Sequence, residues 1–272
     1  MSNRFNNEIF EQLTWQVESG ADELIEEESQ NRLETETPLS DDSNRQPANK
    51  VSNNVDSELN ISEKIAQSNS YNILTPNEIC STCNSIKELA SAIEAYKGCS
   101  LHRTATNTVV FDGNPKAKLM IIGEAPGAEE DRSGRPFVGN AGKLLDRMLA
   151  AIDLNRNDCY ITNILYWRPP GNRTPTTDEI NLCKPFVKRQ IEIVDPSVII
   201  LAGGISAKAL LDRPEGITRL RGKWYQISTS AKLKPKYAIA MFHPAYLLRQ
   251  PQAKREAWED LQEVRKKLAI TS

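Results

Sequence analysis

From about residue 75 onward, short apolar runs alternate with segments in which apolar residues recur at helical spacing. The runs 118–123 (KLMIIG), 159–165, 197–202 (SVIILA), 223–228 and 237–242 read as strands, the first and third continuous enough to be buried on both faces. Helical spacing marks 85–96, 141–152, 177–194, 206–211 and 252–268, with Thr177 a candidate cap for the third of these. Apolar strands separated by helices predict an α/β fold with a mainly parallel sheet covered on both faces. The front of the chain reads differently. Phe5, Ile9, Leu13, Val17 and Leu24 suggest an amphipathic helix within 1–27, a candidate docking element for a protein partner. Residues 28–74 are rich in Ser, Asn, Asp, Glu and Thr and cannot bury enough apolar surface to offset the entropy of ordering. A disordered acidic linker is expected there, and 75–272 is expected to form the folded domain.

Charge follows the same division. Residues 1–70 hold 15 acidic against 5 basic side chains, so the overall net charge of −2 conceals about −10 in front and about +8 behind. A basic body points to a polyanionic partner, and the acidic front either solubilises the chain or competes for that body. No apolar run approaches the ~18 residues of a membrane span, and the N-terminus lacks a signal-peptide layout. A cytoplasmic monomer is expected. Five cysteines, an odd number, suggest reduced thiols or metal ligands more than a disulfide framework.

In open α/β sheets ligands bind beyond the carboxyl ends of the strands. Three predicted strands end in unusual polar sequence: Gly123-Glu124-Ala125-Pro126-Gly127, continuing to Glu129, Glu130 and Asp131; Thr162-Asn163; and His243-Pro244. The glycines and Pro126 allow close backbone approach to a flat ligand, and the acidic cluster suits positioning of a water. Phe137, in a glycine-rich loop ahead of a helix, suits stacking on a base. Asn163 offers the donor and acceptor that a pyrimidine edge requires. His243 suits donation to a developing oxyanion, Leu247 and Leu248 suit a wedge into a base stack, and Arg249 suits a phosphate. Cys159, inside an apolar strand, reads as core, and His102 as structural.

These motifs, with 134–145, Tyr160-Ile161-Thr162-Asn163 and 168–175 (RPPGNRTP), together resemble the family 4 uracil-DNA glycosylases over about 85–270. The resemblance implies a three-layer α/β/α sandwich on a central four-stranded, mainly parallel sheet. It also implies hydrolysis of the N-glycosidic bond of deoxyuridine in DNA, in base excision repair. Carried over position by position, Glu124 and Glu130 match acidic residues linked to water or catalysis, and Phe137 matches the stacking aromatic. Asn163 matches the uracil reader and His243 the histidine at the uracil carbonyl, while Gly123, Ala125, Pro126 and Gly127 form one wall of the pocket. The alternative on the same fold is a catalytically silent DNA-binding or recruitment module.

The family is similar in carrying a [4Fe-4S] cluster on four cysteines. Here Cys99 and Cys183 match two of those positions, and Tyr96 and Trp167 stand at the other two. Neither aromatic is a normal ligand for such a cluster. The expectation is that no cluster is bound and that the aromatics fill its volume; the rival is that Cys80 and Cys83, a C-x-x-C pair, replace the missing ligands. Residues 171–175 contain no histidine, which argues against a related branch that traps the sugar covalently.

Overall fold

The computed structural model describes residues 74–230 and 233–271. The helix expected within 1–27, and the expected linker 28–74 apart from its last residue, lie outside the described residues. The apolar runs become strands: β1 (Phe111–Gly113), β2 (Leu119–Gly123), β3 (Cys159–Asn163), β4 (Val198–Ala202), β5 (Trp224–Ile227) and β6 (Lys236–Met241). They form one sheet in the order β1-β3-β2-β4-β6-β5. The inner four strands, β3-β2-β4-β6, are parallel, as expected for the centre of the sheet. Two short antiparallel edge strands enlarge it from four strands to six. β5 and β6 are joined by a short connection that reverses the chain, so they pair antiparallel. β1 has only three half-buried residues, too short and too polar to leave an apolar run.

Alternation along the inner strands splits the core. Met120, Ile122, Tyr160, Ile199 and Leu201 face one layer of helices, while Leu119, Ile121, Cys159, Ile161 and Ile200 face the other. The first layer contains α1 (Pro76–Thr82), α2 (Ile86–Ala95), α5 (Thr177–Val194) and α6 (Gly204–Leu211); the second contains α4 (Asn140–Ala150) and α9 (Lys254–Thr271). Three short helices lie at the strand ends: α3 (Ala128–Ser133), α7 (Ile217–Leu220) and α8 (Pro244–Arg249). The α5 cap is Thr176 and not Thr177. Its hydroxyl accepts from the Glu179 N–H at 3.2 Å, and the Glu179 carboxylate accepts from the Thr176 N–H at 2.8 Å.

Candidate active site

Register brings the three unusual strand ends to one rim. Gly123 pairs with Asn163, and Ala202 with Met241, two residues before His243. Between them lies a cleft of about 180 Å³ lined by Ala125, Gly127, Glu130, Phe137, Ala141, Asn163, His243 and Ala245. It adjoins a second hollow of about 310 Å³ to which Glu124, Pro126, Arg173, Tyr246 and Arg249 contribute. Gly123 forms the floor. A Cβ there would come within 2.3 Å of Asn163 Oδ1 and 2.6 Å of Phe137 Cζ, so the two side chains converge over the one residue type that leaves room.

Asn163 is 2% exposed, yet its amide makes no hydrogen bond within the described residues and so keeps both functions for a ligand. The Phe137 ring is 5.4 Å from the His243 ring at 27°. His243 caps α8, and its Nδ1 accepts from the Ala245 N–H at 3.1 Å. That bond leaves Nε2 as the protonated nitrogen. Burial, with the Arg249 charge beside it, lowers the His243 pKa to about 4, so the ring is a neutral donor at pH 7.

The acidic cluster divides sharply. Glu129 pairs with Arg132 at the surface. Buried Asp131 accepts from the Thr106 and Asn107 N–H groups at 2.8 and 3.1 Å. One Glu130 oxygen accepts from the Gly127 N–H at 3.1 Å, and the other accepts from Val138 and Gly139 at 2.9 Å each. Glu130 therefore ties the turn after β2 to the loop that carries Phe137. Glu124 alone keeps a carboxylate with no protein partner among the described residues, and burial raises its pKa above the usual 4.5.

Leu247, expected at a DNA surface, is instead 1% exposed and packs with Leu144, Phe242 and Ala257. On a helix, successive residues turn about 100° apart, so Leu247 lies on the inward face of α8 while Leu248, 40% exposed, and Arg249 face outward.

Residues 110–262 match the family model of the uracil DNA glycosylase superfamily. A type-4 uracil-DNA glycosylase of Archaeoglobus fulgidus is 42% identical over 66% of this chain and 92% of its own length. The chain belongs to the type-4 uracil-DNA glycosylases. It is also similar to the type-4 enzymes of Sulfurisphaera tokodaii, at 40% identity over 69% of this chain and 86% of theirs, and of Thermotoga maritima, at 38% over 65% and 91%.

The cluster implied by the resemblance to type-4 uracil-DNA glycosylases does not fit the residues present. Cys99 and Cys183 lie against each other, both fully buried. Tyr96 and Trp167, their rings 6.5 Å apart, occupy the other two positions. The Tyr96 ring also packs edge-on against Phe186 at 5.3 Å, lying where a Cβ on residue 98 would be, and Gly98 admits it. Trp167 Nε1 donates to Thr108 Oγ1 at 3.0 Å. Among the described residues no three His, Cys, Asp or Glu side chains converge.

Sequence reading of this type-4 chain missed two sets of residues. Ala141 and Ala245 line the cleft but carry no chemical signal. Arg156, which contacts the Phe137 loop, lies in an ordinary polar turn, Asn155-Arg156-Asn157-Asp158, with nothing in the sequence to link it to Phe137 across 18 intervening residues.

Proposed function

We propose that this chain removes uracil from DNA by hydrolysing the N-glycosidic bond of deoxyuridine, leaving an abasic site. The observation that carries the reading is the convergence of Asn163, Phe137, neutral His243 and unpaired Glu124 at the level ends of three strands. Uracil enters the cleft extruded from the duplex, at a cost of a few kcal/mol, and stacking on Phe137 returns roughly 1–3 kcal/mol of that. The Asn163 amide satisfies the donor and acceptor of the uracil edge. As the bond breaks, electrons pass to the base, and the His243 Nε2–H donates to the developing oxyanion. Glu124, uncommitted and beside the cleft, orients the water that adds to the oxocarbenium-like sugar. Glu130 is a positioning residue, because both of its carboxylate oxygens are engaged by backbone N–H groups, Oε1 by two and Oε2 by one. Leu248 and Arg249 meet the DNA from the outer face of α8, with Leu247 supporting them from beneath.

The reading includes no cluster: Tyr96 and Trp167 hold by packing what four thiolates hold elsewhere in the family. One preparation tests both points. Protein purified without oxygen is expected to carry less than about one iron per chain, against the four of a [4Fe-4S] cluster. The same protein is expected to make a uracil-containing oligonucleotide alkali-labile at one site. No strand break on U:G, U:A or single-stranded substrate at stoichiometric protein sinks the uracil reading, and four irons per chain sinks the cluster-free one.

A further inference from the structure

We propose that Arg156 is a positioning residue for uracil excision, acting on the base through the backbone of Phe137. The inference rests on the uracil reading above. Phe137 has φ +54°, in the left-handed region that a large side chain seldom occupies. Such a conformation persists only where its surroundings over-determine it. Here they do so from both sides. Glu130 draws in the N–H groups of the next two residues, Val138 and Gly139. Arg156 binds the carbonyls: Nη2 donates to the Phe137 oxygen at 2.5 Å and Nη1 to the Pro136 oxygen at 3.0 Å. On the far side, the Phe137 oxygen abuts Gly142 so closely that a Cβ there would lie 1.7 Å away.

Arg156 is itself held in place. Nη1 also donates to Asp112 at 2.8 Å, Nη2 to Asp146 at 2.9 Å, and Nε to the same Asp146 oxygen at 3.2 Å. All five guanidinium N–H groups are thereby used, and the side chain is only 16% exposed. The aspartates come from β1 and α4, so the clamp ties an edge strand and a helix to the loop that sets the aromatic plane. A lysine could keep the charge between the carboxylates but could not reproduce the fork across two carbonyls. No part of Arg156 lines the cleft, so its influence on the base passes through Phe137.

A double-mutant cycle tests this by measuring single-turnover uracil excision and DNA affinity for wild type, Arg156→Met, Phe137→Ala and the pair. Arg156→Met is expected to slow excision by about 10-fold to 100-fold, with DNA affinity changed less than about twofold. In the Phe137→Ala background the same change is expected to cost less than about threefold, because the group it positions is gone. Equal losses in both backgrounds overturn the inference. Should Arg156→Met fail to fold, Arg156→Lys serves in its place. It is expected to slow excision several-fold and to weaken inhibition by free uracil, both only when Phe137 is present, and a wild-type rate overturns the inference. Inactive wild-type protein overturns the uracil reading and this inference with it, whereas active wild type with equal losses overturns the inference alone.

Discussion

The cleft at the strand ends and the aromatic box behind the sheet are built from similar materials and spend them in opposite ways. Around Cys99 and Cys183, the rings of Tyr96, Trp167, Phe186 and Tyr166 meet edge-on or tilted at 5.3–6.5 Å, and the Trp167 N–H has its acceptor. In the cleft, Asn163 is as buried as a core residue, yet its amide is uncommitted, and in the adjoining hollow Glu124 has a carboxylate without a partner among the described residues. Burying polar groups unpaired costs stability, typically about 1–3 kcal/mol each. The box carries one such group as well, because the Tyr166 hydroxyl is buried among the rings without a partner; the difference is that the box is closed by packing, whereas the unpaired groups of the rim face a cleft that a ligand can enter.

The division is broken most directly at Trp167. Trp167→Ala removes a ring that is 1% exposed and an indole hydrogen bond to the 104–110 segment, so unfolding free energy should fall by about 3–5 kcal/mol. The fraction that remains folded should excise uracil at close to the wild-type rate, because no atom of Trp167 reaches the cleft. Denaturant unfolding together with single-turnover kinetics on the same samples checks both parts. A large rate loss without destabilisation would mean that the box serves the chemistry and not the scaffold.

Asn163→Ala is the mirror image. It should slow excision by about 10²–10³-fold, the range for losing one preorganised partner of developing charge, while DNA affinity and unfolding midpoint stay close to wild type. Since the amide is not bonded to the protein, its removal leaves no protein group newly unpaired. Equal losses in excision and DNA binding would show that Asn163 supports the rim structurally and does not read the base.

The contrast also explains what the sequence makes legible. β2 and β4 are continuous apolar runs because both of their faces are covered, so both were readable from periodicity, and their ends located the rim. Asn163 and His243 were readable because polar residues at strand ends break an otherwise apolar pattern, and Phe137 because an aromatic stands out in a glycine-rich loop ahead of a helix. The different fates of Glu124 and Glu130 were not readable. Both stand in one acidic stretch, and only backbone geometry shows that Glu130 is committed to Gly127, Val138 and Gly139. Leu247 and Leu248 are adjacent and chemically identical, and the direction of one short helix sends the first into the core. The clamp on Phe137 was hidden for the same reason: its acceptors are backbone carbonyls, which any sequence supplies.

Glu124 sharpens the comparison at the level of a single proton. Glu124→Gln keeps the shape and should slow excision by about 10²-fold, the low end for losing a positioned base. Its pH dependence is the more specific signature. Burial disfavours the carboxylate, so the Glu124 pKa lies above 4.5, and the active ionised form is lost as pH falls through that raised value. The wild-type rate should therefore show an acid limb displaced upward from that of an ordinary glutamate. His243, with its pKa lowered to about 4, stays neutral through most of that window and cannot produce the limb. In Glu124→Gln the limb should vanish, leaving a slow, flat profile down to about pH 5. If it survives the substitution, another group titrates, and the water is oriented by something other than the one carboxylate in the turn that the fold leaves unpaired.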